Sequence, residues 1–177
     1  MEEYHATLIG VVIGAVISLL VAVIMANQNR KTMREQVHLQ ENIKAIKILN
    51  RVLINDSMVW FTLLNAYSDL KANGLTVDTL AYLKHAEENK RDLRDQNKEL
   101  QKELMGYSCF LTPKQIYFHS CFMDASATRY KRYSEVATDD LCIDDIEGIF
   151  DLIQDFHNET ADTEVDFAMC TNINFTK

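Results

Sequence analysis

If this chain does chemistry, "TRYKRY" at residues 128–133 is the first place to look. Arg129, Lys131 and Arg132 interleave there with Tyr130 and Tyr133. Cations that engage phosphates beside rings that stack on bases are the parts that hold nucleotides and single-stranded nucleic acid. These five residues are therefore a candidate site for a nucleotide or oligonucleotide ligand. In the competing reading both tyrosines pack into a core, while the cations face water or an acidic surface.

Other chemistry-bearing residues do not assemble into a motif. The acidic run "DDLCIDDIEG" ends on Gly148, which would put Ile143 at the first position of a calcium loop, where an oxygen ligand is needed. His119, Cys121, Cys109, His157 and Cys170 match no zinc spacing. A Cys–His nucleophile would lack an orienting third group. Phosphate-binding and dinucleotide-binding glycine patterns are missing, as are HExxH and paired CxxC. The expectation is a protein that is not an enzyme and needs no cofactor or metal.

The elements that would position such a patch are helices. Pro113 is the single proline, and after residue 30 glycine occurs only at Gly74, Gly106 and Gly148. Strand-like alternation is missing. A first helix carries Val37, Ile43, Ile46, Leu49, Leu53, Trp60, Leu64, Tyr67 and Leu70, with "INDS" at 54–57 as a candidate interruption and Asn73-Gly74 as its stop. A second helix starts on Thr76 and ends at Gly106. Within it Leu83, Ala86, Lys90, Leu93, Asn97, Leu100 and Leu104 recur in alternating steps of three and four. This is a heptad seam with polar Lys90 and Asn97, suited to self-association or to an apolar stripe on a bundle. A third helix opens on "LTPKQI", with Thr112 as N-cap, Pro113 at the first helical position and Gln115 closing a capping box. Phe118, Cys121, Phe122 and Ala125 should mark its buried face. A last helix begins near "TDDLCIDD" and offers Ile146, Ile149, Phe150, Ile153 and Phe156 to the core.

Ahead of these lies "ATLIGVVIGAVISLLVAVIMA", residues 6–26, without a charge. About 21 residues at about 1.5 Å each make roughly 31 Å of helix, enough to cross a bilayer core. The start "MEEYH" is acidic, unlike a signal peptide. Arg30, Lys31 and Arg34 follow the span, which places the body of the chain in the cytoplasm and the N-terminus outside the inner membrane. Small residues recur every fourth position, at Ala6, Gly10, Gly14, Ser18, Ala22 and Ala26, letting helix backbones approach closely. Such a row turns by about 40° per step, so a single straight partner cannot use all of it. Three or more copies in a ring could, and a ring could enclose a pore. Glu2 and Glu3 would then form an acidic outer mouth, and Asn27, Gln28 and Asn29 a polar inner one.

The net charge of -8 is divided unevenly: residues 135–177 hold 12 acids and one base, while residues 30–134 are net basic. The expected organisation is all-α and homo-oligomeric, with one N-terminal transmembrane helix and a cytoplasmic bundle of about four to five helices. Its parts are an outside tip and span at 1–29, a basic juxtamembrane helix at 30–55, a helical bundle at 56–134, and an acidic helix and tail at 135–177. In this layout the chain resembles small single-pass membrane effectors of bacterial antiphage defence, the Hailong effector among them. The resemblance implies a membrane channel or pore formed by the span and controlled by the helical domain. It also implies a nucleotide or oligonucleotide signal received at the "RYKRY" patch. The alternative is a membrane-anchored helical adaptor that binds a regulatory or other protein and makes no pore.

Overall fold

The computed structural model describes the backbone of residues 2–137 and 146–171. Side chains are described from residue 16 onward within those ranges, Cys170 excepted. Four α-helices account for nearly all of it: α1 (Glu2–Asn73), α2 (Val77–Gly106), α3 (Pro113–Val136) and α4 (Ile146–Thr171), with a 3-10 turn at Ser108–Phe110. The chain is all-α among the described residues, as its helical periodicity requires.

The local stops and starts follow the chemistry of their residues. Gly74 ends α1 with φ of 69°, donating its N–H to the Leu70 carbonyl at 2.9 Å. This left-handed conformation is open to glycine without steric penalty. Thr76 caps α2, and Thr79 returns the bond to the Thr76 backbone. Thr112 accepts from the Gln115 N–H, Gln115 answers to the Thr112 N–H, and Pro113 follows directly, as expected.

α1 runs through residues 54–57 without a break. Asn55 and Asp56 bond to other helices, so their side chains do not compete for their own backbone. The last helix extends beyond Asn158 to Thr171, with Thr160 and Phe167 buried. The acidic run 138–145 expected to open it lies outside the described residues.

Two compact units divide the chain, Met1–Glu41 and Asn42–Lys177. The division falls within the segment expected as one juxtamembrane helix at 30–55. Asn42 explains the position, since its amide donates to the Phe110 carbonyl at 2.6 Å and to Gln115 Oε1 at 3.0 Å. In the first unit every described side chain from Val16 to Gln40 is exposed. Among the described residues no helix is long and apolar enough to cross a membrane. The side chains of residues 6–15, the first part of the expected span, lie outside them.

The second unit is a four-helix bundle with two apolar clusters. One gathers Trp60, Leu63 and Tyr67 of α1 with Leu83 of α2, Tyr133 of α3 and Ile149, Ile153 and Phe156 of α4. The other gathers Ala45, Leu49 and Val52 with Leu100, Leu104, Phe118, Phe122 and Phe167. Each helix contributes to both, so the acidic helix α4 is part of the bundle, its stripe from Ile149 to Phe156 in the core as expected.

Candidate functional site

A polar layer lies between the two apolar clusters, with buried Asp56 from α1, Asn97 from α2 and Arg129 from α3; on α4 the buried Thr160 donates to its own Phe156 and His157 carbonyls. Asp56 is 0% exposed and Arg129 2%. Arg129 Nη2 donates to Asp56 Oδ2 at 2.7 Å, and Ser126 Oγ donates to Asp56 Oδ1 at 2.8 Å. The half-exposed Glu159 of α4 lies 3.6 Å from Arg129 Nη1. Asn97 donates to the Val52 carbonyl at 3.1 Å and accepts from Asn55 at 2.9 Å. Arg129 Nε, Tyr130 Oη, Trp60 Nε1 and His157 Nδ1 are also buried, and no hydrogen bond satisfies them among the described residues.

This layer takes apart the expected ligand patch. On one helix, residues 129 and 133 share the inward face with Phe122 and Ser126, whereas 131 and 132 turn outward. Arg129 is the buried ion-pair partner of Asp56. Tyr133 donates to Glu87 and lies under Lys90, whose Nζ is 4.3 Å from the ring centroid. Tyr130 packs on Trp60 with ring centroids 5.1 Å apart, and Arg94 covers its ring at 4.8 Å. Burial, and then the Asp56 charge, pushes the Tyr130 hydroxyl well above its ordinary pKa. Burial does the same to Tyr133, with Tyr67 and Glu87 adding to it. Lys131 faces solvent near Glu135, and Arg132 covers the Phe156 ring at 5.1 Å. The five residues thus do not present one surface.

The α2 seam is corrected in the same way. Leu83, Ala86, Asn97, Leu100 and Leu104 are buried within one chain, and Leu93 packs against the same core. Lys90 pairs with Glu87 beside Tyr133. The seam's partners are α1, α3 and α4, not another copy of α2. The expected face of α3 is rotated as well: Gln115, Phe118, Phe122, Ser126, Arg129 and Tyr133 are inside, while Cys121 and Ala125 are exposed.

Of the membrane positions, Ser18, Ala22 and Ala26 are exposed, as are Asn27, Gln28 and Asn29. Gln28 carbonyl accepts from Thr32 Oγ1 at 3.0 Å, an ordinary i−4 bond. The side chains of Glu2, Glu3, Ala6, Gly10 and Gly14 lie outside the described residues.

Sequence reasoning missed Asp56 as a functional partner. Its only signal was an acid at a heptad position of α1, between Val52 and Val59. The layer offers a buried ion pair whose carboxylate also engages the Ser126 hydroxyl, and no group of His, Cys, Asp and Glu among the described residues is placed to hold a metal. Its chemistry is recognition between helices: it sets which residues of α1, α2, α3 and α4 stand at one level. Compared with family models, curated proteins and solved structures, the chain matches none.

Proposed function

We propose that this chain is a single-pass membrane effector that assembles with copies of itself through residues 6–26 and forms an ion channel or pore in the inner membrane. The bundle lies on the cytoplasmic side and controls it, in antiphage defence of the kind the layout resembles. The observation that supports this reading is the state of α1 before the bundle. Val16, Ile17, Leu19, Leu20, Val21, Val23, Ile24 and Met25 are each 49–68% exposed and take up the helix surface except the face that holds Ser18, Ala22 and Ala26. An apolar surface this wide needs cover, which lipid supplies, and the face of small residues lets a neighbouring copy approach closely. A nucleotide, an oligonucleotide or a regulatory protein would act on the bundle.

A second reading, an anchored adaptor without a pore, is favoured by the surface of α4. Asp151, Asp155, Asp162 and Asp166 are exposed there, and the helix carries no Lys or Arg. Such a face suits a basic protein partner.

Conductance of the purified full-length protein in planar bilayers tests the first reading, with discrete current steps expected. Replacing residues 6–26 by poly-leucine separates the two. A pore loses its current and its toxicity on overexpression, while an adaptor keeps its activity. Absence of current from the native oligomer under every added ligand would sink the pore.

A further inference from the structure

The heptad seam of α2 is enclosed by its own bundle, but α1 carries a second seam that nothing encloses. The inward face of α1 follows Ala45, Leu49, Val52, Asp56, Val59, Leu63, Ala66 and Leu70, all buried. On the opposite side of the helix, Ile54, Met58 and Phe61 are each 46% exposed. α2 borders this stripe on one edge, through Asn55 to Asn97 and Asn89 to Thr62. α4 borders it on the other, where the His157 ring lies 5.8 Å from Phe61.

The register of the stripe points to its occupant. Counted onward in alternating steps of four and three, it takes in Asn65, Ser68 and Ala72. Counted backward, it passes Arg51, Lys47, Lys44 and Gln40 and reaches Val37 and Met33, 53% and 65% exposed. Of the large apolar side chains exposed on α1 beyond residue 30, Leu39 alone is off this register. The apolar part of this register, Ile54, Met58 and Phe61, has the alternating four- and three-residue spacing by which a helix pairs with an identical helix, parallel and in register.

Charge separates this face from the others. From Ile54 to Ala72 the register carries no charged residue, so two copies meet there without like charges opposed. The outward face of α4 is acidic and would repel its own copy. Arg51, next in register, lines a groove of about 900 Å³ together with Lys98 and the acids Asp92, Asp95, Glu99 and Glu103 of α2, and with Lys47 and Lys44 beyond it Arg51 bounds the contact on that side.

We infer that Ile54, Met58 and Phe61 of α1 pack against the same three residues of a second copy, forming a parallel contact between bundles. This deepens the proposed self-assembly and rests on it for the presence of several copies. It moves the cytoplasmic contact from α2 to the outer side of α1.

Crosslinking of the full-length protein in detergent tests it. Met58→Cys is introduced after Cys109→Ser, Cys121→Ser, Cys142→Ser and Cys170→Ser, and the protein is oxidised. Residue 58 should then be captured on residue 58 of a second copy, while Asp155→Cys on the outer face of α4 should stay uncrosslinked. Equal capture at both positions, or none at Met58→Cys, overturns the inference. Independently, Met58→Glu with Phe61→Glu in the native background should weaken association about tenfold or more with helicity unchanged, read by light scattering on dilution. An oligomer of unchanged mass and dilution behaviour, held by the span alone, overturns the seam and leaves the pore reading standing. Dissociation of this variant, with no current from the native protein, leaves the seam standing and removes the pore.

Discussion

At the scale of residues, Asp56 and Arg129 are the pair on which the bundle's interior turns. By type, Asp56 belonged to a suspected break in α1 and Arg129 to a ligand patch. The fold makes them partners at 2.7 Å with almost no solvent access. Neither role could be read locally, because the two are 73 positions apart along the chain. A buried pair adds little net stability over apolar residues of similar size, but removing one member strands the other charge. Arg129→Met should therefore destabilise the bundle by about 3–5 kcal/mol. Asp56→Leu added to it should recover much of that loss. Chemical unfolding followed by circular dichroism measures both, and a double variant no more stable than the single one would refute the pairing.

Elements were the most legible level. Thr76, Gly74, Thr112, Pro113 and Gln115 act within a few residues of themselves, and each stands at the cap or turn its type predicts. Removing the α3 cap with Thr112→Ala should cost about 1 kcal/mol, seen as a lower unfolding midpoint with the slope unchanged. Faces of elements were harder to read. The stripe of α2 was recognisable as a heptad, yet periodicity does not say whether its partner is a neighbouring helix or a neighbouring chain. α3 shows the same limit: Cys121 and Ala125 lie one step from buried positions and still face outward. Ser126 and Arg129 turn inward in their place, because Asp56 is there to receive them.

Across the whole bundle, two apolar clusters enclose a polar layer, and three tyrosines sit close to water-free surroundings. Tyr67, Tyr130 and Tyr133 all have raised pKa values, with burial as the first cause in each. Their unfolded counterparts lose the proton near pH 10. Below that the three contribute their full stability. As the pH rises above about 10, the unfolded chain releases protons that the folded one retains, so stability falls. Thermal melting between pH 8 and 11 should show a plateau and then a decline that begins near the unfolded value. Tyr133→Phe should make the decline shallower, and an equally steep one would refute the assignment.

From the sequence alone come the helical class, the stops and caps, the apolar run at 6–26 and the acidic character of the last helix. All of these depend on neighbours a few residues away or on composition. The tertiary structure alone decided that α2's heptads close onto their own bundle, that "RYKRY" is divided between core and surface, and that α1 retains an uncovered outer seam. Each of these depends on which helix face meets which neighbour. That choice is a balance of packing and charge over distant parts of the chain, and the spacing of residues along one helix does not contain it.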